Sequence, residues 1–139
     1  MAAFTLDGLD DFMKIIEKVG NLDELAPQMI NAATPVVEKE LKQNIRDAAD
    51  RGYATGELES AIHATKAKQN EYGYFAAVGA TGVDSKGVRN NEKLAYLEYG
   101  VDGRQAPHPV MQKTINDSES ECMDIMQAVF NEGIENECK

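Results

Sequence analysis

The chain has 139 residues, a net charge of −10, 42% hydrophobic residues and no tryptophan. That length suits one domain, residues 1–139, with a core built from aliphatic residues, Met, Tyr and Phe. No apolar run approaches the roughly 20 residues needed to span a bilayer. The start, Met1-Ala2-Ala3-Phe4-Thr5, lacks the basic and apolar stretches of a signal peptide, which predicts a soluble intracellular product.

The charge is uneven. Residues 1–26 hold six acids and two lysines, residues 27–116 hold eleven of each sign, and residues 117–139 hold seven acids and one lysine. Tight binding to DNA needs lysine and arginine to displace phosphate counterions, so no stable nucleic-acid binding is expected. An acidic wall is compatible with DNA passing close by, since it repels phosphates. Solubility alone also accounts for acidic helix faces.

Residues 8–19 read as a helix, because Leu9, Phe12, Met13, Ile16 and Val19 recur at three- and four-residue steps. Asp7 suits the N-cap and Gly20 the stop. A second helix is predicted over residues 22–51, opened by an Asn21–Glu24 capping box and ended by Gly52. Its stripe is Leu25, Met29, Ala33, Val36, Val37, Leu41, Ile45 and Ala48. Pro35 lies inside it, so the segment is either one kinked helix or two helices meeting at Thr34.

Beyond Gly56 the pattern changes to strands. Across residues 60–68, Ile62, Ala64 and Lys66 alternate with His63, Thr65 and Ala67. Residues 72–79 are clearer: Tyr74, Ala76 and Val78 share one face, Phe75 and Ala77 the other. Gln69, Asn70 and Glu71 supply the turn of an antiparallel hairpin. Residues 82–91 read as an exposed loop. Residues 93–99 are compatible with a short helix or a strand, ended by Gly100, and residues 102–109 form a loop containing Pro107 and Pro109. The last helix is predicted from Val110 to about Asn136, with Met111, Ile115, Cys122, Ile125, Met126, Val129, Phe130 and Ile134 on its apolar stripe. Polar residues 118–121 interrupt that stripe, which predicts that part of the helix projects from the body.

The residues that carry chemistry are scattered. His63, His108, Cys122 and Cys138 form no CxxC or HxxxH pair, so no metal site is expected. The two cysteines fall too far apart along one helix to bond each other. Ser60 sits in no nucleophile elbow. Gly79-Ala80-Thr81-Gly82 follows a strand but precedes no Gly-Lys-Ser/Thr, and reads as a turn. Asp10 with Asp11 and Glu119 with Glu121 read as solvated acids rather than an acid–base pair. No catalytic residue, cofactor or metal ligand is predicted.

Four segments in order carry a resemblance. They are Phe4-Thr5-Leu6-Asp7-Gly8-Leu9-Asp10-Asp11-Phe12, then Ala54-Thr55-Gly56-Glu57-Leu58-Glu59-Ser60-Ala61-Ile62, then Leu94-Ala95-Tyr96-Leu97-Glu98-Tyr99-Gly100, and Ala106-Pro107-His108-Pro109-Val110-Met111 before the last helix. Their order and spacing resemble the tail-component family of long-tailed bacteriophages, also described as minor tail, tail completion or head–tail joining proteins. The resemblance covers nearly the whole chain and rests on Thr55, Gly56, Leu58, Glu98, Tyr99, Gly100, Pro107 and Pro109. Ala54 stands where the family has Asp, Val110 where Phe is common, and Ser60 is displaced from Ile62 by Ala61. Each segment also has a local reading. Thr55-Gly56 is a turn into a strand, with Gly supplying a backbone angle other residues resist. Glu98-Tyr99-Gly100 closes an element, and Pro107 and Pro109 fix the approach to the last helix.

The expected fold is α+β: a small antiparallel sheet against the long helix, flanked by N- and C-terminal helices. The resemblance implies a non-enzymatic virion protein, assembled in the host bacterial cytoplasm, with itself, tail-tube protein and connector or neck proteins as partners. A ring, hexameric on first expectation, would bury Val129, Phe130 and Ile134 against a neighbouring subunit. Loops 82–91 and 101–109 are the expected contact segments. The alternative is an acidic phage-encoded inhibitor that mimics DNA in a basic groove of a host protein. Its acids would have to line one face, and here they gather at the two ends.

Overall fold

The structure, a computed structural model, describes residues 22–49 and 56–137. The helix expected over residues 8–19, the Asn21 cap, Gly52, Thr55 and Cys138 lie outside the described residues. The described architecture is α+β. Its elements are α1 (Leu22–Ala49), α2 (Gly56–Ser60), β1 (Ile62–Ala64), β2 (Lys68–Asn70), β3 (Gly73–Phe75), β4 (Val78–Ala80), α3 (Asn90–Tyr99) and α4 (Val110–Glu137).

The expected stripe of α1 is turned inward: Ala33, Leu41 and Ile45 are buried, and Leu25, Met29, Val36, Val37 and Ala48 are half-buried. Both Pro27 and Pro35 lie within α1, so the segment is one helix and not two meeting at Thr34. An interior proline removes a helical hydrogen bond and costs about 3 kcal/mol. Packing along α4 offsets that cost. The two helices run antiparallel in contact over most of their length. Asn44 Nδ2 donates to Thr114 Oγ1 at 3.0 Å near one end, the Cys122 thiol lies 3.7 Å from the Ala33 carbonyl further along, and Gly133 packs against Leu25 near the other.

The inward residues of the first part of α4 are therefore Val110, Thr114 and Ser118, and not Met111 and Ile115, which are exposed. This corrects the expected stripe. The hydroxyls of Thr114 and Ser118 donate to the carbonyls of Val110 and Thr114, four residues back, which satisfies them without water. Small side chains there let α1 approach closely. Of the polar interruption that predicted a projecting helix, Ser118 is buried while Glu119, Ser120 and Glu121 are exposed, and α4 nonetheless stays against α1 as far as Gly133.

The strands form one hairpin in two ladders, β1 with β4 and β2 with β3, both antiparallel. Ile62 faces Ala80 and Ala64 faces Val78, while Lys68 faces Phe75 and Asn70 faces Gly73. Residues 65–67 lie opposite residues 76–77, so one strand carries an extra residue, a β-bulge. Thr65 holds it, donating its N–H to Ala77 O at 2.8 Å and accepting the Ala77 N–H on Oγ1 at 2.9 Å. The extra residue shifts the alternation, which places Ala67 rather than Lys66 inward. The turn is Glu71-Tyr72, two residues, because Gln69 and Asn70 are paired. On the other strand the expected alternation holds: Tyr74, Ala76 and Val78 are half-buried, Phe75 and Ala77 exposed.

Residues 93–99 are helical, within α3, and the preceding loop ends at Arg89 rather than Asn91. Asn90 is buried and donates its side-chain amide to Thr81 O at 2.9 Å. The core gathers Leu41, Ile45, Leu58, Ile62, Leu94, Leu97 and Val110, with Ala48, Val78 and Ala80 at its margin. It sits where the second half of α1 meets α2, the β1–β4 ladder, α3 and the start of α4.

Candidate functional site

Two of the four resemblance segments meet at one junction, where α3 ends and α4 begins. The residues ahead of α4, Ala106-Pro107-His108-Pro109, include no Ser, Thr, Asp or Asn to cap it, and its first turn has no acid. Glu98 supplies the missing group from α3. Its carboxylate, nearly buried, accepts the N–H of Met111 at 2.6 Å and of Gln112 at 3.2 Å. A carboxylate on two orphan N–H groups at the positive end of a helix dipole is a strong cap.

The turn between the helices is equally determined. Gly100 has φ 75° and donates its N–H to Tyr96 O at 2.8 Å. A Cβ there would lie 2.8 Å from Gln105 O and from Pro107 N. Val101 and Gln105 exchange backbone hydrogen bonds, each 2.9 Å, and His108 N donates to Leu97 O at 2.7 Å. Glycine is required by both the angle and the space. Pro107 packs against this turn, and Pro109 precedes the first residue of α4. Tyr99 points outward, 80% exposed, with Tyr96 one turn away at 47%. The loop over residues 101–109 is thus closed on itself by Val101 and Gln105 and tied to α3 through His108 and Leu97.

Gly56 and Leu58 belong to α2, which replaces the expected turn directly into a strand. Gly56 has no positive φ, and a Cβ on it would meet nothing within 4 Å, so the expected need for a special backbone angle is corrected. Leu58 is a core residue. Arg46 pairs with Glu59, which keeps that carboxyl below its usual range, chiefly through their hydrogen bond. Val129, Phe130 and Ile134 are half-buried on α4.

The loop over residues 82–89 is closed by a bridge between Val83 and Arg89 and organised by Asp84. Asp84 Oδ1 accepts the N–H groups of Lys86 and Val88, each at 2.8 Å, and its other oxygen pairs with Lys93 on α3. The hydrogen bond from Lys93 and that from Val88 lower the Asp84 carboxyl to about 2.

The described residues include no group of three or more His, Cys, Asp and Glu placed to hold a metal ion, and no helix long and apolar enough to cross a membrane. His63 is exposed on β1, and burial raises the Cys122 thiol above its usual range. A groove of about 460 Å³ lies beside the α3–α4 junction, lined by Asn44, Asp47, His108, Lys113 and Asp117 among others. Lys113 lies 3.2 Å from Asn44 Oδ1 and 3.9 Å from Asp117, so the groove's cation is engaged by its own walls. No protein-family model matches the chain, and no curated protein or solved structure does.

Proposed function

We propose that the chain is a structural protein of a long-tailed phage or prophage particle, acting in tail completion or head–tail joining through assembly into a ring. The reading rests on one observation: four segments in family order, spaced across nearly the whole chain. The role of each described segment is in keeping with a shaped subunit. Glu98 caps, Gly100 turns, Leu58 fills the core, and the prolines lead into α4. A hexameric ring would set one face towards the tail tube and the other towards the connector. Exposed Tyr96, Tyr99 and Met111 at the α3–α4 junction offer apolar surface for such neighbours. Deleting the gene from its phage tests the reading. Electron microscopy of the lysate is expected to show filled heads and tails that fail to join, or defective tails. Normal infectious particles would overturn it.

A further inference from the structure

The β2–β3 ribbon has two unlike faces. Tyr74 turns towards α1, where its hydroxyl lies 2.9 Å from Asp23 Oδ1. Lys68 and Phe75 are direct cross-strand partners and share the opposite face, both exposed, with the turn residue Tyr72 beyond them at 89% exposure. An exposed aromatic ring beside an exposed ammonium suits an acidic surface with an apolar centre.

The chain carries one such surface on α4. Residues 117–137 contain seven acids and no lysine or arginine. Glu119 and Met123, four residues apart, lie on one ridge of that helix, and Met123 is 59% exposed. The ribbon and α4 both pack on α1. Each copy therefore presents two different patches, one aromatic with the Lys68 ammonium beside it, the other acidic and apolar.

We infer that the outer face of the ribbon docks on α4 of a second copy of this chain, Phe75 against Met123 and Lys68 beside Glu119. The contact joins unlike patches, so it is head-to-tail and repeats around a closed ring. A chain with net charge −10 repels its own copies, and facing patches of opposite sign offset that repulsion locally and fix the register of the contact. The inference rests on the ring reading above and supplies its interface.

Sedimentation of the full chain at low and high salt tests it, with Lys68→Glu, Glu119→Lys, Phe75→Ala and the double reversal Lys68→Glu/Glu119→Lys. The wild type is expected to associate at low salt and to weaken at high salt. Each single charge reversal raises the dissociation constant roughly tenfold or more, because facing groups become like-charged. Phe75→Ala weakens association without changing charge, and the double reversal restores it. All three positions are exposed, and circular dichroism checks that the fold is retained. A monomeric wild type, a single reversal that associates like wild type, or a double reversal that fails to recover would each overturn the contact. A ring that forms regardless of these variants overturns this interface alone, whereas normal particles from the deletion lysate overturn the ring reading itself.

Discussion

Glu98 and Met111 are joined across the α3–α4 junction by a 2.6 Å hydrogen bond from a backbone N–H to a nearly buried carboxylate. The bond replaces the cap that Ala106-Pro107-His108-Pro109 does not provide. Glu98→Ala leaves two N–H groups unmet and is expected to destabilise the chain by about 1–2 kcal/mol, the range for loss of a helix cap. Glu98→Gln keeps one acceptor oxygen and costs less. Urea denaturation measures both, and an unchanged midpoint for Glu98→Ala would mean that Glu98 does not cap α4.

The two motif glycines should respond in opposite ways. At Gly100 a Cβ meets backbone on both sides at 2.8 Å with φ at 75°, so Gly100→Ala is expected to cost about 2 kcal/mol or more from strain and displacement. At Gly56 the backbone is unstrained and the space open, and alanine favours helix, so Gly56→Ala is expected to be neutral or to stabilise by up to about 1 kcal/mol. Thermal unfolding of the two variants decides. Equal losses would show that Gly56 holds a conformation that glycine alone permits.

Periodicity made most of the α1 stripe readable, because a helix that packs on another along one side must repeat its apolar residues. It failed on α4 for a physical reason. The inward positions of its first part are Thr114 and Ser118, both buried, whose hydroxyls bond to their own helix, so polar residues occupy the position where hydrophobicity was sought. The hairpin was readable and its bulge was not, since one extra residue changes register without changing composition. The junction was half readable. Gly100, Pro107 and Pro109 are punctuation in any sequence, whereas the cap from Glu98 acts across 13 residues. The signal that would have found it is an uncapped helix start.

Acid should loosen the loop over residues 82–89. Asp84 is lowered to about 2, first by its hydrogen bond with Lys93 and then by that from Val88. A carboxyl depressed in the folded chain contributes stability that is fully present above its unfolded value, about 3.9. That contribution is lost as pH falls through the folded value near 2. Asp84→Asn is therefore expected to remove part of the decline in melting temperature between about pH 4 and pH 2 and to lower stability near neutrality. Melting curves across that range compare the two proteins, and parallel declines would remove Asp84 as a source of acid sensitivity.

Gly133 tests whether the second half of α4 stays against the body. A Cβ there would meet the Cδ2 methyl of Leu25, the end of a flexible, half-buried side chain. Two effects oppose each other in Gly133→Ala. Alanine within a helix gains about 1 kcal/mol over glycine. Turning Leu25 off its preferred rotamer costs about 0.5–1.5 kcal/mol. The terms are similar, so Gly133→Ala is expected to change stability little. Gly133→Leu adds volume that a rotamer change at Leu25 cannot accommodate, and overpacking of that kind costs about 1–3 kcal/mol. A helix that projected freely would behave otherwise: alanine would stabilise it by the full propensity difference and leucine would stabilise it nearly as much. Thermal unfolding of the alanine and leucine variants separates the two arrangements. Stabilisation by both would place Gly133 away from α1.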